Sequence, residues 1–132
     1  MPNITVQLEQ VGPTTSEARI REHHVLVDRP EAKGGDDRGP MGGELFLASI
    51  GGCFLSNMLA AIRARDAAVS NVRVEVVGRL EGEPLHYEEI TVTASADHDD
   101  PEQFQKLVTI SERGCIMVNT LRPVLQLNVN VA

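Results

Sequence analysis

Apolar and polar residues alternate along both ends of the chain, and the alternation predicts strands. Ile4, Val6 and Leu8 are interleaved with Thr5, Gln7 and Glu9, the pattern of a half-buried strand. VGPTTSE reads as a turn, and residues 18–28 resume in extended style through Ile20, Val25, Leu26 and Val27. Asp28–Arg29–Pro30 ends that stretch, because a residue before proline avoids helical geometry and proline donates no hydrogen bond. Further on, Val72, Val74 and Val76 alternate with Arg73 and Glu75, and Tyr87, Ile90, Val92 and Ala94 follow after the turn EGEP. The two stretches, 71–81 and 86–96, read as an antiparallel hairpin. Leu125, Leu127, Val129 and Val131 alternate as a closing strand.

Residues 42–67, GGELFLASIGGCFLSNMLAAIRARDA, break this rhythm. Here Leu45, Phe46, Leu47, Ile50, Phe54, Leu55, Met58, Leu59 and Ile62 leave almost no polar face before Arg63. A helix apolar on every side belongs inside something. At about 1.5 Å per residue it spans roughly 35 Å, more than the rest of so short a chain can cover. A homodimer built on this helix is the expected solution, because large apolar patches mark interfaces. Gly51 and Gly52 fall mid-helix just before Cys53. Each costs on the order of 1 kcal/mol relative to alanine, a cost offset where another backbone comes close or a reactive group needs room.

A second helix is marked by its start. Asp100 is placed to accept orphan backbone N–H groups, Pro101 suits the first helical position, and Gln103 stands three residues past the cap. Phe104, Leu107, Val108 and Ile110 or Ser111 supply its apolar stripe, and Gly114 ends or kinks it. A short third element covers 115–121 before Pro123. The order β-β-α-β-β-α-(α)-β predicts a single α+β domain over residues 1–132 with antiparallel pairing.

Composition narrows the function. The chain has 132 residues, 42% of them apolar, and a formal charge of −7, which argues against nucleic-acid or anionic-membrane partners. MPNITVQLEQ has no basic segment leading into an apolar core, so a cytoplasmic location is expected. GGDDRG lacks the alternating oxygen ligands of a calcium loop, and His98 among its aspartates is explained by helix capping, so neither metal nor other cofactor is expected.

The remaining chemistry rests on Cys53 and Cys115. Either can be a small buried hydrophobe, the usual state of a free cysteine. Both stand at glycine-marked positions, Cys53 after Gly51–Gly52 and Cys115 after Gly114. Mid-helix, Cys53 gains little from the helix dipole, so a reactive thiolate there needs a cation and hydrogen bonds from elsewhere.

GPMGGELFLASIGGCFLSNML resembles the signature helix of the OsmC/Ohr family (osmotically inducible protein C and organic hydroperoxide resistance proteins). CIMVNTL is similar to the second motif of that family, and HHVLVDRPEAKGGDDRGP to its approach strand and loop. The resemblance follows the element order along essentially the whole chain. It implies an OsmC-like fold, with antiparallel sheets around a long central cysteine-bearing helix in an intertwined homodimer. It also implies a thiol-dependent peroxidase that reduces organic hydroperoxides, with Cys53 peroxidatic and Cys115 resolving. A dithiol reductant such as a lipoylated protein would restore the thiols, and no cofactor is needed. The family's catalytic carboxylate corresponds to Glu44, one position later than in Ohr-type members, where this chain has Gly43. Its activating arginine corresponds to Arg19 or Arg21 by strand, or to Arg38 by closeness to the helix start. Ile116 replaces the usual proline after the second cysteine. The alternative is a non-catalytic dimeric module that holds a small hydrophobic ligand and carries inert thiols.

Overall fold

The computed structural model describes residues 2–132. Two compact units divide the chain, the first ending at Phe46 and the second beginning at Leu47.

The first unit holds a three-stranded antiparallel sheet, β1 (Gln7–Gln10), β2 (Ser16–Ile20) and β3 (His23–Val27), in that spatial order. The extended stretch expected over 18–28 is thus a hairpin. Arg21 turns the chain with φ 55°, a left-handed conformation taken here without glycine. β1 is exposed throughout, and Ile4, Val6 and Leu8 are open to solvent, so the half-buried strand expected there is corrected.

After β3 the approach loop is gathered around Asp28, which is buried. Its carboxylate accepts from Thr15 Oγ1 at 2.8 Å and from the backbone N–H groups of Arg29 and Arg38 at 2.7 and 3.2 Å. Its own N–H donates to Pro40 O at 3.0 Å. Burial would raise the carboxyl's pKa, but the hydrogen bonds from Thr15, Arg38, Thr14 and Arg29 outweigh it and hold the group well below the usual carboxylate range.

Helix α1 (Gly42–Arg65) then begins, and from Leu47 onward it belongs to the second unit. Its buried residues are Ile50, Gly51, Phe54, Met58 and Ala61, one stripe at helical spacing. Ile50, Phe54 and Met58 are wholly buried, each worth about 1.5–3 kcal/mol of transfer free energy. A Cβ on Gly51 would stand 2.9 Å from Val76 Cγ2, so helix and strand meet where the helix lacks a side chain. Gly78 makes the matching concession on the strand, since a Cβ there would meet Leu47 Cδ2 at 2.9 Å and the Tyr87 ring at 2.6 Å.

Behind α1 stands the second sheet, β4 (Ser70–Glu81), β5 (His86–Asp97) and β6 (Gln126–Val131), with β5 central. The hairpin β4–β5 is antiparallel as expected. β6 runs parallel to β5, which corrects the all-antiparallel expectation. A parallel neighbour needs a crossover, and the two helices between β5 and β6 provide it. α2 (Pro101–Arg113) starts as its sequence predicts, with Asp100 as N-cap accepting from Gln103 N at 3.1 Å. It buries Phe104, Leu107, Val108 and Ser111, while Ile110 faces outward. His98 stacks on Phe104 with centroids 4.8 Å apart. α3 (Ile116–Leu121) follows and leads into β6.

Candidate functional site

Cys53 lies on the second-unit part of α1 and is half-buried. Cys115 is wholly buried at the N-cap of α3, with φ −80° and ψ 112°. Both are free thiols, and they lie near enough for each to act on the other's ionisation. Burial pushes the Cys115 thiol above its ordinary pKa, and the neighbouring Cys53 adds to the rise. The backbone amides of Val118 and Met117 pull the other way without reversing it. Cys115 is therefore a proton-holding thiol, and Cys53 is the more accessible of the pair.

The end of α2 brings Cys115 to this place. A helix leaves its last four carbonyls without intrahelical partners. Ile110 O accepts from Gly114 N at 3.1 Å and Glu112 O from Cys115 N at 3.2 Å, which tightens the turn just before the cysteine. The other two are met by asparagine side chains. Asn57 Nδ2 donates to Ser111 O at 3.3 Å, and Asn119 Nδ2 donates to Arg113 O at 3.1 Å. Asn57 lies one turn beyond Cys53 on the same row of α1. Asn57 is not among the site residues expected from sequence, though an amide four residues after the cysteine in an apolar helix is a visible signal.

The other expected site residues lie in the first unit. Glu44 is exposed at the third position of α1, and its carboxylate accepts from Met41 N at 2.8 Å. That is the return half of a capping box, so Glu44 helps to start the helix. Arg19 on β2 is ion-paired with Glu9 at 3.0 Å and Glu17 at 3.5 Å. Arg21 occupies the β2–β3 turn and is exposed. The Arg38 guanidinium lies beside Gly12, where a Cβ would stand 3.2 Å from Nη1. Among the described residues no group of three or more His, Cys, Asp or Glu is gathered as metal ligands are.

Fold and thiol pair together define an α+β protein with two neighbouring cysteines, one on a long apolar helix and one at a helix start. A family profile described as OsmC-like protein matches residues 34–130, and the chain belongs to that family. Among solved structures, an OsmC-like protein from Mycoplasma pneumoniae superposes with TM-score 0.85 at 17% identity, over 99% of this chain and 96% of that one. An organic hydroperoxide resistance protein OsmC from Legionella pneumophila gives TM-score 0.75 at 16% identity, over 100% and 99%. An organic hydroperoxide resistance protein from Elizabethkingia anophelis gives 0.75 at 18%, over 99% and 97%. No curated relative matches the chain by sequence.

Proposed function

We propose that the protein is a thiol-dependent peroxidase acting on organic hydroperoxides. The observation that carries this reading is the nearness of two free thiols of unequal exposure, Cys53 half-buried and Cys115 buried. Cys53, the more accessible, attacks the terminal peroxide oxygen as a thiolate. The O–O bond breaks, the alkoxide takes a proton and leaves as the alcohol, and Cys53 becomes a sulfenic acid. Cys115 then loses its proton and attacks the Cys53 sulfur. Water departs and an intrachain disulfide remains. An external dithiol, such as a lipoyl group, takes the disulfide back to two thiols. A buried thiol that holds its proton leaves the first attack on peroxide to Cys53, since only the thiolate is a nucleophile. The names of the Legionella and Elizabethkingia neighbours point to the same substrate class.

The attacking thiolate calls for a cation beside it, and we assign that cation to Arg19, Arg21 or Arg38. Arginine stays charged and bridges sulfur and carboxylate through forked donors, with Glu44 as the carboxylate partner. We also assign a homodimer. Ala48, Ser49, Gly52, Ser56, Leu59 and Ala60 of α1 are exposed on a helix that is apolar along most of its length. That helix is long and apolar enough to cross a bilayer by length and composition. Its docking onto Val76 through Gly51 favours a second protein surface as the cover.

The test is steady-state reduction of cumene hydroperoxide with dihydrolipoamide as donor. Cys53→Ser should abolish turnover and Cys115→Ser should stop it after one oxidation of Cys53. Full activity in Cys53→Ser would refute the assignment.

A further inference from the structure

We infer that Asn57 is a positioning residue that sets how readily Cys53 and Cys115 join. The inference rests on the proposed function only for the pairing of those two cysteines, and not on peroxide as oxidant.

Cys53 and Asn57 occupy one row of α1, four residues apart. From that row the Asn57 amide reaches 54 residues along the chain to Ser111 O. Among the described residues Ser111 O has no backbone partner, because Gly114 N and Cys115 N close onto Ile110 and Glu112 instead. The Asn57 amide therefore takes the one carbonyl in the final turn of α2 that the turn leaves over and α3 does not reach. Three residues beyond that carbonyl is Gly114, and the turn lies against the amide there: a Cβ on Gly114 would stand 3.4 Å from Asn57 Nδ2, an ordinary packing distance. Cys115 comes next. One amide thus fixes the Cys115 turn to the helix that carries Cys53, a single helical turn from its sulfur. Asn119 holds Arg113 O from within the same segment, at 3.1 Å, and adds no tie to α1.

Disulfide formation measures this directly, with oxidised glutathione as the oxidant. The Cys53 thiolate attacks glutathione disulfide and releases one glutathione thiolate. The Cys115 thiolate then attacks Cys53 in the mixed disulfide and releases the second. The two protons lost from the protein thiols end on the two glutathiones, and the two electrons reduce the glutathione disulfide. The equilibrium gives the effective concentration of one thiol at the other.

Reduced wild-type protein, Asn57→Leu, Asn57→Asp and Ser111→Ala are equilibrated in glutathione buffers and the disulfide fraction is read after acid quenching. Loss of the hydrogen bond in Asn57→Leu should lower the effective concentration by about three- to tenfold. For a two-electron couple that makes the disulfide more oxidising by about 15 to 30 mV. Ser111→Ala removes the buried hydroxyl that donates to Leu107 O at 2.7 Å but leaves the Ser111 carbonyl in place. It should stay within about twofold of wild type. Asn57→Asp places an ionised carboxylate against the carbonyl at pH 8 and a donating carboxylic acid once protonated. Its defect should therefore shrink toward pH 5 while that of Asn57→Leu does not, and this readout stands if Asn57→Leu fails to fold. A wild-type effective concentration in Asn57→Leu would overturn the inference, as would an equal shift in Ser111→Ala or a pH-independent defect in Asn57→Asp. Absence of any disulfide in the wild-type protein would overturn the cysteine pairing itself.

Discussion

The two adjacent glycines of α1 should respond in opposite ways to the same substitution. Helix propensity alone favours Gly→Ala at either position by about 1 kcal/mol. At Gly51 the new methyl would meet Val76 Cγ2 at 2.9 Å and Val74 Cγ1 at 3.7 Å, while at Gly52 nothing lies within 4 Å. An ordinary carbon–carbon contact is about 3.5–4.0 Å, so Gly51→Ala must push helix and strand apart or force Val76 off its rotamer. Overpacking of this kind costs about 1–3 kcal/mol, which leaves a net loss between about zero and 2 kcal/mol after the helix gain. Removing the obstacle should reverse the sign. In a Val76→Ala background Gly51→Ala keeps its helix gain and fills part of the space left by the valine, with a coupling of about 1–3 kcal/mol. Gly52→Ala should gain about 1 kcal/mol within its own chain, and because the proposed second copy covers that face of the helix, the gain is read on dissociated protein at low concentration. The assay is urea unfolding of the reduced protein at one fixed protein concentration, with the slope checked for constancy. Stabilisation by Gly51→Ala in the wild-type background would refute the reasoning, as would the same effect in both backgrounds.

Asp28→Asn should destabilise the first unit at neutral pH and flatten the acid limb of its stability curve. A depressed carboxyl contributes stability above its unfolded pKa, about 3.9, and loses it as pH falls through the lower folded value. Thermal melts between about pH 6 and pH 2 check this, and an unchanged acid limb would count against it. Cys115 works in the opposite direction. Its folded proton is held more tightly, so its contribution is present below the unfolded thiol pKa, about 8.5, and fades as pH rises toward the higher folded value. Urea midpoints of the reduced protein should therefore decline above about pH 8.5, and Cys115→Ala should remove part of that decline. Glu44→Gln should keep the capping box and the stability, whereas Glu44→Ala should cost on the order of 0.5 kcal/mol. If Glu44 also serves the thiol, Glu44→Gln should lower peroxide turnover without moving the melting temperature.

Much of the fold could be read from the residues, and the misreadings have physical causes. The start of α2 was legible because Asp100–Pro101 and Gln103 satisfy a local hydrogen-bond requirement, and the structure uses them so. Parallel pairing of β6 was not, because a strand's period-two pattern is the same whichever way its neighbour runs. The β2–β3 turn was hidden since Arg21 takes a left-handed φ that glycine or asparagine would have announced. On α1 the uniform apolarity that revealed the helix also concealed which stripe faces its own sheet. The capping role of Glu44 escaped notice because Met41 stands where serine or threonine would mark a box. Both cysteines were visible, but their nearness, like the reach of Asn57 to Ser111, depends on chain crossings that no local pattern carries.

The pairing of Cys53 with Cys115 is tested most directly by oxidation with one equivalent of an organic hydroperoxide. Fully reduced protein is mixed with cumene hydroperoxide, the remaining thiols are alkylated, and the peptides are read by mass spectrometry. The account predicts loss of two hydrogens per chain, with the Cys53 and Cys115 peptides joined within one chain and neither cysteine alkylated. Cys53 carried on to sulfinic acid while Cys115 remains fully alkylatable, or both thiols left untouched, would contradict it.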